Sequence, residues 1–148
     1  MIVGSLTTIS QRINNLYRVV ESLYNQTTKL DKLYLFISTE GYLLDKGITE
    51  IPENLNKYID NKFLVIEFVD NDGPYRKFTH IIKRFQNETD VKIFIIDDDW
   101  IYPKMLVENL NKTVENFKEC VASVNVQNIN YDKDGNLSIL KIKHIKLK

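Results

Sequence analysis

Cysteine is almost absent from this 148-residue chain: Cys120 stands alone and has no partner for an internal disulfide. A domain of this size without disulfides is at home in a reducing compartment, so the sequence predicts a cytoplasmic protein. An excess of either charge is absent as well. Twenty Lys and Arg face twenty Asp and Glu, a formal net charge of zero. That balance excludes the broad cationic field of a protein that lives on nucleic acid, and a partner has to be read from a local site. No apolar run approaches the roughly 20 residues that span a bilayer. The start, MIVGSLTTIS, lacks the basic segment, apolar segment and small-residue cleavage site of a signal peptide, and reads as a first strand. Proline (three), glycine (five) and alanine (only Ala122) are scarce. What is there is 43% hydrophobic and 27% charged residues, which predicts one compact domain over residues 1–148 and excludes disorder as the dominant state.

Residues 2–9 are short, β-branched and nearly continuous in apolar residues and Thr, as in a strand buried on both faces. Ser10 is placed to cap a helix whose Ile13, Leu16, Tyr17, Val20, Leu23 and Tyr24 recur at three- and four-residue steps. Residues 33–38 read as a second strand, 52–61 as a short helix and 63–69 as a third strand. Gly73-Pro74 breaks the chain before a helix over about 75–86, striped with Phe78, Ile81, Ile82 and Phe85. Residues 92–96 form the fourth strand. Pro103 suits the first turn of a helix running to about residue 117. A fifth strand over 121–126 and a C-terminal hairpin turning at Asp134-Gly135, between strands near 128–131 and 137–142, complete the pattern. Strands alternating with helices predict an α/β fold with a mainly parallel sheet covered on both faces, an α/β/α arrangement of three layers.

In such a sheet ligands bind beyond the carboxyl ends of the strands, where strand order reverses. The loops selected by that rule carry Thr7, Thr8 and Arg12; Ser38, Thr39 and Glu40; residues 70–77; and Asp97-Asp98-Asp99. The triplet is the sharpest feature, because three adjacent carboxylates repel and a hard divalent cation, Mn²⁺ or Mg²⁺, relieves the repulsion. In an extended stretch Asp97 and Asp99 share one side and Asp98 points away, so Asp97 and Asp99 are the expected metal ligands. A solvated acidic loop with one Asp capping the next helix is the plainer alternative.

These segments resemble the nucleotide-sugar-dependent glycosyltransferases of the GT-A fold, whose Asp-x-Asp motif ends an inner strand. SLTTISQRINNLYRVVESLYNQ (5–26) is similar to the first strand and helix of bacterial family-2-like members, where Thr-Ile-x-x-Arg precedes a Ser-Leu-x-x-Gln helix end, and DKLYLFIS is similar to their second strand. Asp72-Gly73-Pro74 with Lys77, followed by IFIIDDDWIYP, resembles a subgroup with Gly-Pro-x-x-Lys before Asp-Asp-Asp-x-x-Tyr-Pro. The resemblance covers residues 1–117. It implies a Rossmann-like GT-A domain binding a nucleotide-activated sugar, UDP-sugar first, for transfer to a glycan or lipid-linked acceptor. Asp97 and Asp99 would hold the metal, Asp98 would meet metal-bound water or ribose, and Lys77 and Arg12 would assist the nucleotide, with Thr8 and Asp72 as further contacts. Arg76 is expected to face solvent.

The resemblance does not extend over residues 120–148, which do not look like the family's acceptor region and offer no catalytic base. A non-catalytic nucleotide-sugar-binding or remnant domain is therefore the second reading. A phospho-receiver-like domain is the third, disfavoured because Thr7 and Thr8 stand where a receiver carries an acidic pair. Asp70 and Asp72 also suit a turn before Gly73-Pro74. His80 and His144 are expected at the surface, Trp100 in packing or as a wall of the donor pocket, and Cys120 in a small buried site. The tail LKIKHIKLK suits an edge strand, with contact to a partner chain or to the inner face of a membrane as the other use of its lysines.

Overall fold

A computed structural model describes residues 1–116, 128–131 and 137–140. The chain divides into two compact units, Met1–Glu108 and Asn109–Lys148. The first contains β1 (Ile2–Thr7), α1 (Leu16–Tyr24), β2 (Lys32–Ile37), α2 (Asn56–Asp60), β3 (Leu64–Phe68), α3 (Arg76–Phe85) and β4 (Lys92–Ile95). It is an α/β unit whose four strands are all parallel, in the order β3-β2-β1-β4, consistent with a Rossmann-like fold. β1 lies in the middle, with Leu6 opposite Leu35 of β2 and Ser5 opposite Ile95 of β4.

Both faces are covered because alternate residues of each strand are apolar in opposite directions. Leu6, Leu33, Leu35, Ile37 and Leu64 pack with Leu16, Val19, Val20 and Leu23 of α1 and with Tyr58 of α2. On the other face Val3, Tyr34 and Phe36 meet Ile81 of α3, with Val65, Phe85 and Ile93 alongside. Ile13, Leu16, Val20 and Leu23 of the expected stripe are thus in the core, joined by Val19, while Tyr17 is partly buried and Tyr24 is exposed. α4 (Leu106–Asn116) follows Pro103 after a turn. In the second unit β5 (Asn128–Tyr131) pairs antiparallel with β6 (Leu137–Leu140); the expected Asp134-Gly135 turn between them, the fifth strand over 121–126, Cys120 and His144 lie outside the described residues.

One local expectation is corrected. Ser10 does not cap a helix: Arg12 stands before a 3-10 turn, Ile13–Asn15, that leads into α1 without a side-chain cap. Gly73-Pro74 stands between β3 and α3 as expected: Gly73–Tyr75 is a 3-10 turn leading into α3, with Gly73 at a left-handed φ of 59° that a glycine adopts without strain.

The glutamine closing the α1 motif has a structural role. Gln26 is buried, and its side-chain amide Nε2 donates to the carbonyls of Ser22 and Pro103, both at 2.9 Å, while Oε1 accepts from the Val107 N–H at 3.1 Å. The end of α1 is therefore tied to both sides of the connection leading into α4. Gln26→Ala strips these partners inside the core and is expected to lower stability by about 1–3 kcal/mol, read from urea unfolding, because buried polar groups are left without partners.

Candidate functional site

A cleft of about 540 Å³ opens at the carboxyl ends of β1 and β4, lined by Thr8, Arg12, Asp45, Arg76, Lys77 and Asp97 to Trp100 among others. Its volume is in the range of small-molecule sites. It lies where strand order reverses, since the chain runs outward from β1 through β2 to β3 and then crosses to β4 on the other side.

The aspartate triplet leaves β4 through a turn at Asp98 and Asp99 instead of continuing extended. Even so, the three carboxylates divide as alternation suggests. Asp98 is turned inward, its side chain almost wholly buried, accepting from the Thr8 hydroxyl and from Arg12 Nε at 3.1 Å. Asp97 and Asp99 are exposed; Asp97 pairs with Lys77, and Asp99 Oδ2 takes Arg12 NH1 at 3.1 Å. One guanidinium thus bridges two neighbouring carboxylates and reduces their repulsion.

Tyr102 fixes this turn. Its hydroxyl accepts from the Asp97 N–H at 2.9 Å and lies 3.1 Å from the Asp97 carbonyl, to which it donates, while its own N–H donates to Ser22 Oγ at 3.1 Å. Burial pushes the Tyr102 hydroxyl up; the Asp97 N–H pulls it back, and the three carboxylates push it further, to about 12. The proton needed for the bond to the carbonyl therefore stays in place across the neutral range. Nothing in spacing alone singled out this residue beyond its place in the Asp-Asp-Asp-x-x-Tyr-Pro segment.

The opposite wall overturns an expectation. Arg76 does not face solvent: its side chain is 1% exposed and its NH2 group meets the equally buried Asp45 at 3.1 Å. The same guanidinium donates to the Thr8 carbonyl at 3.2 Å and, through Nε, to the Gly73 carbonyl at 3.1 Å. Asp45 carries no signal in the sequence that separates it from an ordinary loop aspartate. It also accepts from the N–H groups of Ser10, at 2.9 Å, and Gly47, at 3.1 Å. Gly47 has φ of 82°, and a Cβ there would lie 2.1 Å from the Thr39 carbonyl oxygen, so the turn admits no side chain.

The remaining candidates separate. Thr8, Arg12, Lys77 and the triplet converge on the cleft, and Trp100 lines it while remaining exposed. Asp72 is not among the lining residues; its Oδ2 lies 4.0 Å from His80 Nε2. His80 is half-buried rather than on the surface, stacked on Phe36 with ring centroids 5.5 Å apart.

Carboxylate oxygen is the donor type that a hard divalent ion prefers. Asp97 and Asp99 offer exposed carboxylate oxygens on the cleft, whereas no group of three acidic, His or Cys side chains gathers at ligand distance among the described residues. Two protein carboxylates with the other positions left to water and phosphate is a usual arrangement for Mg²⁺ or Mn²⁺. Comparison of the chain with protein-family models, with curated proteins and with solved structures gave no match.

Two outcomes test this geometry. Burial by itself would push the Asp45 carboxyl up, but the two backbone N–H groups and Arg76 outweigh it and hold the carboxyl below its ordinary value. Stability from Asp45 is then fully present above the ordinary carboxylate pKa of about 4 and is lost as pH falls through the lowered value. Asp45→Asn leaves a buried guanidinium unpaired; it is expected to cost about 3–5 kcal/mol at neutral pH and to flatten the acid limb of stability against pH, measured by denaturant titration. Tyr102→Phe removes two hydrogen bonds, leaves the Asp97 N–H without the hydroxyl, and is expected to cost about 1–2 kcal/mol in the same assay.

Proposed function

We propose that this protein is a metal-dependent glycosyltransferase domain of the GT-A class, binding a nucleotide-activated sugar, with a UDP-sugar as donor and a glycan or lipid-linked acceptor, in the cytoplasm. The observation that carries the reading is the charge of the cleft. Four carboxylates (Asp45, Asp97, Asp98, Asp99) and three cations (Arg12, Arg76, Lys77) line it, leaving an excess of one negative charge. A diphosphate entering alone is repelled; a diphosphate entering with a divalent cation is not.

Asp97 and Asp99 would hold that Mn²⁺ or Mg²⁺ ion, which when bound stabilises negative charge on a departing diphosphate. Arg12 and Lys77, both at the cleft and both resting on carboxylates of the triplet, would bind phosphate or ribose oxygens. Thr8 and Asp98 orient Arg12 from beneath, and Tyr102 holds the backbone of Asp97. Asp72, away from the cleft walls, has no part in this assignment.

A second reading, a domain that binds the donor without transferring sugar, is favoured by one observation. Every carboxylate among the described cleft residues is already engaged by a cation: Asp45 by Arg76, Asp97 by Lys77, Asp98 and Asp99 by Arg12. None stands ready as a general base.

Calorimetry with UDP in the presence and absence of Mn²⁺ tests the shared part of both readings. Mn²⁺ is expected to tighten UDP binding at least about tenfold, a coupling of about 1.4 kcal/mol, and Asp99→Ala is expected to abolish most of that coupling while leaving thermal unfolding nearly unchanged. UDP affinity indifferent to Mn²⁺ and to Asp99→Ala would sink the assignment. Release of UDP from UDP-sugars on addition of candidate acceptors then separates the enzyme from the binding domain.

A further inference from the structure

The mouth of the cleft carries large apolar side chains that the fold leaves in water. Leu43 is 89% and Leu44 78% exposed, Tyr42 and Trp100 are exposed as well, and all four line the cleft. The two leucines sit at the tip of a turn closed by two backbone bonds, Tyr42 N–H to the Asp45 carbonyl at 2.8 Å and Asp45 N–H to the Tyr42 carbonyl at 3.0 Å. Gln11 donates to the Leu44 carbonyl, and Asp45 itself is locked to Arg76, Ser10 and Gly47. Leu43 is held at φ of 53°, a left-handed conformation unusual for a leucine. A buried ion pair therefore supports a turn whose tip displays two leucines, Leu43 in a disfavoured backbone conformation.

We propose that this tip inserts into a lipid surface, bringing the cleft mouth against a membrane so that the acceptor is lipid-borne; the acceptor part rests on the glycosyltransferase reading, the insertion does not. Three features favour lipid over another protein. The turn's backbone bonds let it enter an apolar medium with few polar groups unmet. Tyr42 and Trp100 combine an apolar ring with a polar atom, as side chains at a bilayer boundary do, and exposed Lys46 follows the tip where lipid phosphates would lie. A stable protein interface needs about 800 Å² from each partner, more than the four exposed side chains of the mouth supply.

The test is co-sedimentation of the full chain with phosphatidylcholine vesicles and with vesicles containing one-quarter phosphatidylglycerol, for the natural chain and for Leu43→Asp with Leu44→Asp. Both positions are exposed, and aspartate tolerates the left-handed conformation better than leucine, so the variant should fold; thermal unfolding checks this. The natural chain is expected on both vesicle types, with partitioning reduced by roughly tenfold or more in the variant. No binding by the natural chain, equal binding by the variant, or binding only to the anionic vesicles that survives the substitutions would overturn the proposal. So would a concentration-dependent dimer abolished by the variant, which would assign the tip to a second copy. UDP calorimetry on the same samples keeps the two ideas apart: vesicle binding without UDP binding removes the donor reading and leaves the tip, and the reverse removes the tip alone.

Discussion

The Arg76 guanidinium joins three segments at one point. It reaches the carbonyl of Thr8 after β1, the carbonyl of Gly73 ahead of α3, and the carboxylate of Asp45 in the long connection after β2. Each segment leaves the sheet at the carboxyl end of a different strand or enters the helix behind it, so this one side chain decides how far apart the walls of the cleft stand. A charged group in such a place is costly unless it is paired; Asp45 supplies the pairing through NH2 while two backbone N–H groups hold Asp45 in turn, and NH1 of Arg76 has no hydrogen-bond partner among the described residues. The cleft has a built wall because the pair cannot dissolve into water without opening the loop.

The facing wall is organised by the same means with different exposure. Arg12 and Lys77 neutralise the triplet from the side open to solvent, and Thr8 and Tyr102 fix it from the protein side. Thr8 belongs to both walls: its carbonyl accepts from Arg76 and its hydroxyl donates to Asp98. The segment after β1 is consequently the hinge of the site, which is what a central strand flanked by β2 and β4 makes possible. The charges lining the cleft are closely balanced, with an excess of one negative charge.

Strands and helices were largely legible because their periodicities are strong. β1 and β2 are apolar on both faces, α1 shows a clean stripe, and the triplet stands directly after an apolar strand, so the sheet edge and its acidic loop follow from pattern. The misreadings concern long polar side chains and caps. Arg76 sits next to Lys77 with the same local chemistry, yet one is buried and the other lines the opening; a neighbour of one position turns by about 100° around a helix, and only the packed surroundings say which direction is inside. Ser10 has the right chemistry for a cap, but Asp45 and Lys46 claim its backbone N–H and its hydroxyl before a helix can.

By itself the sequence determined the alternation of strands and helices, the apolar faces that make the sheet a middle layer, and the arrival of three carboxylates at the end of β4, because those depend on residue type and spacing along one local stretch. Tertiary structure alone decided which cations meet which carboxylates, that Asp98 turns inward while Asp97 and Asp99 face the opening, and that Leu43 and Leu44 stand out at its mouth. Residues 20 to 90 positions apart make those contacts, and burial, which sets the strength of a charge pair, is a property of the packed chain and not of its composition.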